Sequence, residues 1–143
     1  MDIAPCFDDP HALLRAHGLR ATPQRVAVTR LLLKQAIHAT PRDVYVALNT
    51  DFPSMSQNTV YLTLAHLEQA GLLRRMYIAG RTVFDSNIQM HDHACCHHCG
   101  RIVDLPQAGQ TDSPGELGKW QVEGQSRLWT GLCPDCIQPP ALP

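Results

Sequence analysis

The chain has 143 residues, enough for one ordinary domain or two small ones with modest cores. Its apolar fraction of 44% and charged fraction of 17% are typical of a soluble globular protein, and no apolar run approaches the roughly 20 residues that a membrane-spanning helix needs. The acidic start MDIAPCFDDP also lacks the basic and apolar regions of a signal peptide. We therefore expect a cytoplasmic protein with no membrane partner, whose six cysteines serve as metal ligands and not as disulfides.

The charges are segregated along the chain, although the formal net charge is only −1. Residues 10–84 contain nine Arg and Lys side chains against three Asp and Glu side chains, a net charge of +6. Residues 86–143 contain three basic and six acidic side chains, a net charge of −3. A chance fluctuation in a short chain is one explanation; polyanion binding by the basic half is the other.

Three helices are predicted in the basic half, because a capping residue is followed three times by a proline suited to the first helical position. These pairs are Asp9-Pro10, Thr22-Pro23 and Thr40-Pro41. The first helix is expected to end at Gly18 and the second near residue 35. The third places Val44 and Leu48 on one face, since they are four residues apart.

A fourth helix, QNTVYLTLAHLEQA, is predicted to begin after Ser56 and to end at Gly71. Its buried stripe consists of Val60, Leu64 and Leu67. The next stretch, LLRRMYIAGRTVFD, predicts two short strands around Ala79 and Gly80. Three helices, a fourth helix with a polar first turn and then a hairpin follow the order of a winged helix-turn-helix.

The polar first turn of the fourth helix and the nearby arginines are the predicted DNA contacts, to base edges and to phosphates respectively. The full predicted set is Arg20, Arg25, Ser56, Gln57, Asn58, Thr59, Tyr61, Arg74 and Arg75. For the helix alone, an ordinary polar surface helix is an equally good interpretation. The charge segregation and the hairpin in the right order together favour DNA binding.

Two cysteine pairs, Cys96-x-x-Cys99 and Cys133-x-x-Cys136, predict a structural zinc site. Each short loop lets both sulfurs face one cation, and four thiolates around a tetrahedral ion are the usual ligands of structural zinc. A redox-active pair is the alternative, but neither pair follows the strand-to-helix pattern of such motifs. We interpret the two remaining thiols, Cys6 and Cys95, as lying outside the site.

Four segments of the chain resemble, in the same order, signature segments of the ferric uptake regulator (Fur) family of bacterial metal-dependent repressors. They are GLRATPQR (18–25), NTVYLTLAHLEQAGLL (58–73), HDHACCHHCGRIVDL (91–105) and GLCPDC (131–136). The resemblance covers about residues 10 to 136. The cysteine pairs and the histidine motif are the specific parts, because helix-turn-helix segments occur in many proteins.

The resemblance implies an α+β protein. A winged-helix DNA-binding domain over residues 1–84 would be followed by a small α/β dimerisation domain over residues 85–143 that contains a structural zinc. It also implies a homodimer that binds double-stranded DNA at a palindromic operator.

The resemblance further implies a regulatory metal site with five ligands. These are His38, Asp85, His91, His93 and Asp104. Three imidazoles and two carboxylates suit Fe²⁺ or Mn²⁺ better than a thiolate-loving ion. One ion would tie the two halves of the chain together and select the arrangement that binds DNA. We interpret the other histidines, at positions 11, 17, 66, 97 and 98, as solvated surface residues.

Two single positions, Met90 and Asp104, indicate which branch of the family the chain resembles. Met90 stands where iron sensors often carry the histidine of a second site, and Asp104 matches the peroxide-responsive branch, whereas iron regulators generally have Glu there. In that branch peroxide oxidises a histidine ligand of the bound iron, which here corresponds to His38 or His91. The favoured prediction is a peroxide-sensing repressor; an iron- or manganese-uptake regulator that does not sense peroxide is the alternative.

One position and one segment depart from the family pattern. Leu62 stands where most members have a polar or basic residue facing DNA. The segment 107–120 should hold the helix of the dimer interface, yet it contains three glycines and a proline. We then expect dimerisation to depend more on the strands predicted for RIVDL and SRLWTGL than on that helix.

An enzyme and a purely structural zinc module are the other classes considered. Zinc deaminases combine H-x-E with P-C-x-x-C, but here the first histidine is followed by Asp92 and His93, so the glutamate is missing. Four thiolates also leave no open position for a reactive water. A structural module would need neither the helix-and-wing order nor five additional ligands, so we expect no enzymatic activity.

Overall fold

The computed structural model of the protein describes residues 9–35, 38–107 and 115–137. The chain divides into two compact units, Met1–Ile88 and Gln89–Pro143. The first combines helices with a small sheet and the second is built on another small sheet, so the fold is α+β as predicted. Among the described residues, no helix combines the length and the apolar character needed to cross a lipid bilayer.

Four helices form most of the first unit: α1 (Pro10–Ala16), α2 (Pro23–Gln35), α3 (Pro41–Leu48) and α4 (Gln57–Gln69). The predicted capping residues begin all four, since the side chains of Asp9, Thr22, Thr40 and Ser56 each accept a hydrogen bond from a backbone N–H of the first turn. At α3 the cap is reciprocal, because the carboxylate of Asp43 accepts a hydrogen bond from the N–H of Thr40 at 2.8 Å. The four predicted helices are confirmed.

The sheet of the first unit has the strand order β1-β3-β2, with β1 at His38–Ala39, β2 at Arg74–Ile78 and β3 at Arg81–Asp85. All pairs are antiparallel. The predicted hairpin is confirmed: Ala79 and Gly80 connect β2 to β3 with φ of 50° and 75°. The sequence did not predict β1, whose two residues pair with the end of β3.

The core of the first unit is an apolar cluster drawn from all four helices and from β3. The predicted stripe of α4 is fully buried in it. Phe84 from β3 is also completely buried and packs in the same cluster. Because one side of α4 is committed to this core, Tyr61 and Leu62 remain on its exposed side.

The second unit is built on β4 (Asp92–Cys96), β5 (Ile102–Leu105) and β6 (Leu128–Gly131). β4 is central, with β5 antiparallel on one side and β6 parallel on the other. The strands predicted from RIVDL and SRLWTGL are therefore present, and both pair with β4 of the same chain.

The family helix expected in segment 107–120 is not observed in the described part of that segment. A single 3₁₀ turn, Gly115–Leu117, occurs there, and residues 108–114 lie outside the described residues. Glycine is a poor helix former, and the turn begins with Gly115 and is followed directly by Gly118, which accounts for its shortness.

The left-handed conformation of Ala79 leads to a stability prediction. A residue with a Cβ is strained at a φ of 50°. We expect Ala79→Gly to raise the free energy of unfolding by about 0.5–1 kcal/mol, after the greater entropy of glycine in the unfolded chain is taken into account. Urea denaturation measures the change. Ala79→Val serves as the opposite control, and a stabilising valine or a destabilising glycine would contradict the assigned turn.

Candidate functional sites

The two cysteine pairs meet at one end of the second sheet. Cys96 is the last residue of β4, and Cys99 lies in the turn that leads towards β5. Because β6 runs parallel to β4, the segment that follows it carries Cys133 and Cys136 to the same end of the sheet. The four sulfur atoms all lie within 4.8 Å of one another, and the sulfurs of Cys99 and Cys133 are 3.7 Å apart. This cluster fits a structural zinc site.

The backbone around the tetracysteine cluster favours an anionic sulfur. The backbone N–H groups of Cys99 and Cys133 stabilise the thiolate of Cys96 and lower its pKa to about 5; the N–H of Cys133 lies 3.3 Å from that sulfur. The pKa of Cys136 is raised to about 12, first by the neighbouring Cys133 thiol and then by burial. Four sulfurs at this distance can all be anionic only around a cation, so the cluster has the chemistry of a site for a divalent metal ion.

Two further contacts hold β6 and the second cysteine pair in place. Arg101 forms an ion pair of 2.8 Å with Asp135, which lies between Cys133 and Cys136. The buried carboxylate of Asp92 accepts a hydrogen bond from the N–H of Arg127 at 2.8 Å, just before β6 begins. Sequence reasoning gave Asp92 no role. In the sequence, Asp92 shows only as an acidic residue within a predicted strand, and this does not reveal that it accepts a hydrogen bond from Arg127.

A cluster of His91, His93 and Asp104, called here the triad, lies on the second unit. Cross-strand pairing of His93 with Asp104 in β4 and β5 fixes two of its members. Oδ1 of Asp104 is 3.0 Å from Nε2 of His91 and 3.5 Å from Nε2 of His93. The two imidazole rings are 4.3 Å apart, and both side chains are buried.

The hydrogen bonding of His91 fits the triad to a metal ion. Its Nδ1 lies 2.6 Å from the carbonyl oxygen of Gln89, so this nitrogen donates a proton to a backbone acceptor. In the neutral imidazole the unprotonated Nε2 points towards Oδ1 of Asp104, and a metal ion between these two acceptors would satisfy both. A carbonyl that fixes the histidine tautomer in this way is typical of metal sites.

His38 and Asp85, called here the pair, lie on the first unit and are also set by strand register. They are directly opposite each other in β1 and β3. Nε2 of His38 is 3.5 Å from Oδ2 of Asp85, and both side chains are buried. The other oxygen of Asp85 accepts a hydrogen bond from the N–H of Asn87 at 2.8 Å, which fixes the orientation of the carboxylate.

The predicted DNA contacts on α4 lie at its exposed N-terminal end. The hydroxyls of Ser56 and Thr59 are 2.9 Å apart, and Ser56 accepts the Thr59 N–H at 3.0 Å, so both take part in the cap. The next residues along the helix are more open. Gln57, Asn58, Tyr61 and Leu62 form a continuous exposed face.

The predicted arginine contacts have different environments. Arg20 is exposed between α1 and α2, and its carbonyl accepts a hydrogen bond from Nη1 of Arg25 at 3.0 Å. Arg25 also lies 3.3 Å from Nδ1 of His66 on α4. Arg74 is half-buried in β2, and Arg75 beside it is exposed.

The remaining cysteines and histidines can also be placed. Cys95 is buried and its thiol lies 3.8 Å from the carbonyl oxygen of Cys96; it is not a member of the tetracysteine cluster. Cys6 lies outside the described residues. The histidines interpreted as solvated are all exposed, namely His11, His17, His66, His97 and His98.

A four-helix unit with a wing and an exposed polar helix end, joined to a unit with a tetracysteine cluster and buried His/Asp groups, defines a metal-binding winged-helix regulator. The sequence model of the ferric uptake regulator family matches residues 16–123. This chain belongs to that family.

Individual relatives agree with this assignment. The peroxide-responsive repressor PerR of Staphylococcus saprophyticus is 32% identical over 134 residues, which cover 91% of this chain and 90% of the relative. The ferric uptake regulator of Vibrio cholerae has a similar fold, with a TM-score of 0.69 at 24% identity over 87% of this chain and 100% of that one. The peroxide stress regulator of Campylobacter jejuni gives a TM-score of 0.61 at 28% identity, covering 87% of this chain and 97% of that one.

The protein is therefore a metal-dependent transcriptional repressor of this family and not an enzyme, as the sequence predicted. The deaminase alternative is wrong, because members of the family are DNA-binding regulators. The tetracysteine cluster agrees with this, since four sulfurs leave no open coordination position.

The cluster predicts how the protein responds to loss of one sulfur. We expect Cys136→Ser to reduce the zinc content from about one to about zero ions per chain, because structural zinc requires the full tetrahedral set. Native mass spectrometry measures the content, and the thermal midpoint should fall with it. Cys95→Ser is the matched control, a buried neighbour outside the cluster, and it should keep its zinc. Equal retention of zinc by both variants would contradict the assignment.

Proposed function

We propose that this protein is a cytoplasmic homodimeric repressor that senses peroxide. It binds a palindromic operator while one Fe²⁺ or Mn²⁺ ion occupies a regulatory site formed by the pair and the triad, and Zn²⁺ holds the tetracysteine cluster. The observation that carries the proposal is the triad, in which one carboxylate oxygen faces two buried imidazoles. The two buried imidazoles and the partly exposed carboxylate offer nitrogen and oxygen donors that suit these two metals.

The number of ligands supports one shared ion. The triad supplies two imidazoles and one carboxylate, a set that can hold Fe²⁺ with coordination positions left open, and the pair supplies two further ligand side chains that could fill them. Each group is already oriented by its own backbone contacts, through Gln89 in the triad and Asn87 in the pair. An ion that binds both groups links the DNA-binding unit to the second unit.

This linkage gives the metal control over DNA binding. A ligand shifts a conformational equilibrium only through its different affinities for the two states. The linked state of the dimer would place two α4 helices in successive major grooves, and loss of the ion would release them. A coupling of about 1–3 kcal/mol, typical of allosteric proteins, changes operator occupancy severalfold or more.

Peroxide sensing is favoured over metal homeostasis by Asp104 and by the curated relatives. The relative described above is named as a peroxide-responsive repressor and matches nearly the whole chain. A ferrous ion held by these residues would supply one-electron reduction of hydrogen peroxide, which yields hydroxide and a hydroxyl radical beside the ligands. By residue match to the peroxide-responsive branch of the family, His38 and His91 are then the candidates for oxidation. An oxidised imidazole binds metal poorly, so repression would end.

Dimerisation is proposed through the second unit. Val103 and Trp129 flank Ala94 in neighbouring strands, on the same face of the sheet, and are 42% and 56% exposed. An apolar face of this kind is stabilised when a second copy covers it. The thiols that the structure describes, including Cys95, are free, which agrees with a reducing compartment such as the cytoplasm.

The shared site can be tested by removing two members of the triad. We expect His91→Ala combined with Asp104→Ala to weaken Mn²⁺ binding by roughly 100-fold or more, since even changes in the outer shell of a metal site can cost up to about that factor. Calorimetry measures the affinity, and fluorescence anisotropy measures whether Mn²⁺ still raises DNA affinity. Exposed His97→Ala is the control, and zinc content should be unchanged in all variants. A metal response that survives in the double variant would refute the site.

Peroxide sensing is tested by comparing two metal forms of the wild-type protein. Protein stripped at the regulatory site is reloaded with Fe²⁺ or Mn²⁺, and DNA affinity is measured before and after hydrogen peroxide. We expect the iron form to lose DNA binding and the manganese form to keep it, because only ferrous iron reduces peroxide readily. Peptide mass analysis should find one added oxygen on His38 or His91. An iron form that peroxide leaves unchanged would favour the alternative, an iron- or manganese-uptake regulator.

A further inference from the structure

The side chain of Arg75 is engaged within the first unit by three groups. Its Nη2 forms an ion pair of 2.7 Å with the carboxylate of Glu68 on α4. Its Nη1 donates a long hydrogen bond of 3.4 Å to the hydroxyl of Tyr61, also on α4. Its guanidinium carbon lies 5.6 Å from the ring centre of Tyr61 and 5.3 Å from that of Phe84.

These contacts join the wing, which is the β2–β3 hairpin, to two positions about two turns apart on α4. Tyr61 and Glu68 are seven residues apart, so they lie on the same side of α4. Arg75 is paired across the hairpin with Phe84, which is completely buried in the core. The guanidinium plane is thus held between a fixed core ring and the exposed ring of Tyr61. Arginine suits this position because its planar group stacks on aromatic rings while it donates to a carboxylate.

The sequence predicted Arg75 as a DNA contact to phosphate. Its charge, however, is already balanced by Glu68, and both side chains are only about one-third exposed, at 37% and 32%. A phosphate would have to displace this carboxylate to gain the same bond. The aromatic contact would have to break as well if the guanidinium turned towards solvent.

We propose that Arg75 is a positioning residue that sets the orientation of Tyr61 for reading DNA sequence, and that it makes no phosphate contact. Through Glu68 and Phe84 it fixes the angle between the wing and α4, and through its stacking it restricts the rotamers of Tyr61. The proposal rests on the DNA-binding function proposed above. It assigns to Arg75 a part in sequence discrimination and none in the electrostatic attraction to the DNA backbone.

The two roles differ in how binding depends on salt. Each phosphate contact adds roughly 0.9 to the slope of log affinity against log salt, because it releases a condensed counterion. A positioning residue leaves this slope unchanged and lowers only the preference for the specific sequence. Lysine separates the roles further, since it keeps the positive charge but cannot stack or donate as a planar fork.

The experiment compares Arg75→Lys and Arg75→Gln with the wild type, all loaded with Mn²⁺. The probes are the duplex that the wild type selects from a random-sequence library and a scrambled duplex of the same composition. We expect both variants to keep the wild-type slope of log affinity against log salt. The ratio of their affinities for the selected and the scrambled duplex should fall roughly tenfold. Tyr61→Ala should show a similar loss, and adding Arg75→Gln to it should cause little more.

Other results would overturn the proposal. If Arg75→Lys binds like the wild type while Arg75→Gln has a smaller slope, Arg75 contacts phosphate and does not position Tyr61. If the wild type shows no salt-dependent binding to any duplex, the DNA-binding function itself fails.

The positioning contact is tested separately, without DNA, by a double-mutant cycle on unfolding with Arg75→Gln and Tyr61→Ala. We expect a coupling of roughly threefold in the unfolding equilibrium constant. Strict additivity would overturn the contact whatever the DNA result.

Discussion

The crowding of four sulfur atoms at the end of the second sheet is the constraint on which that unit depends. Among its described residues, the only buried apolar ones are Cys95 and Cys96, so it lacks the large aliphatic and aromatic core that stabilises the first unit. Hydrophobic burial in so small a sheet contributes little, and a cross-link between distant segments has a correspondingly large effect. A metal ion at the cluster would join the turn after β4 to the segment after β6, and thereby hold the parallel strand in place.

The histidine and aspartate groups depend in turn on strand register. His93 faces Asp104 across β4 and β5, and His38 faces Asp85 across β1 and β3. A shift of one residue in either pairing would move one partner to the opposite face of its sheet. The pairing of β4 with β5 belongs to the same sheet as the tetracysteine cluster. The pairing of β1 with β3 extends the β2–β3 hairpin of the wing. The same backbone hydrogen bonds that define the two sheets therefore set the geometry of the candidate regulatory ligands.

Local signals in the sequence were sufficient for the helices, the hairpin and the cysteine pairs, because a cap, a proline or a Cys-x-x-Cys motif acts within a few residues. The strand β1 was missed, since two residues are too short to show any periodicity. The hydrogen bond of Asp92 to the backbone before β6 and the ion pair of Arg75 with Glu68 were also missed. Both join elements whose relative position is fixed only by the packed fold, and composition and spacing carry no information about it.

The parallel pairing of β4 with β6 also bears on the order in which the second unit forms. β5 can pair with β4 as soon as both have left the ribosome, because a short turn connects them. β6 follows only after more than twenty further residues, and until then one side of β4 offers unpaired amide and carbonyl groups to any other strand. A chain that ends or is cleaved between β5 and β6 would expose the unpaired edge of β4 to other chains. Incompletely synthesised and proteolysed forms would therefore be the species most prone to aggregation.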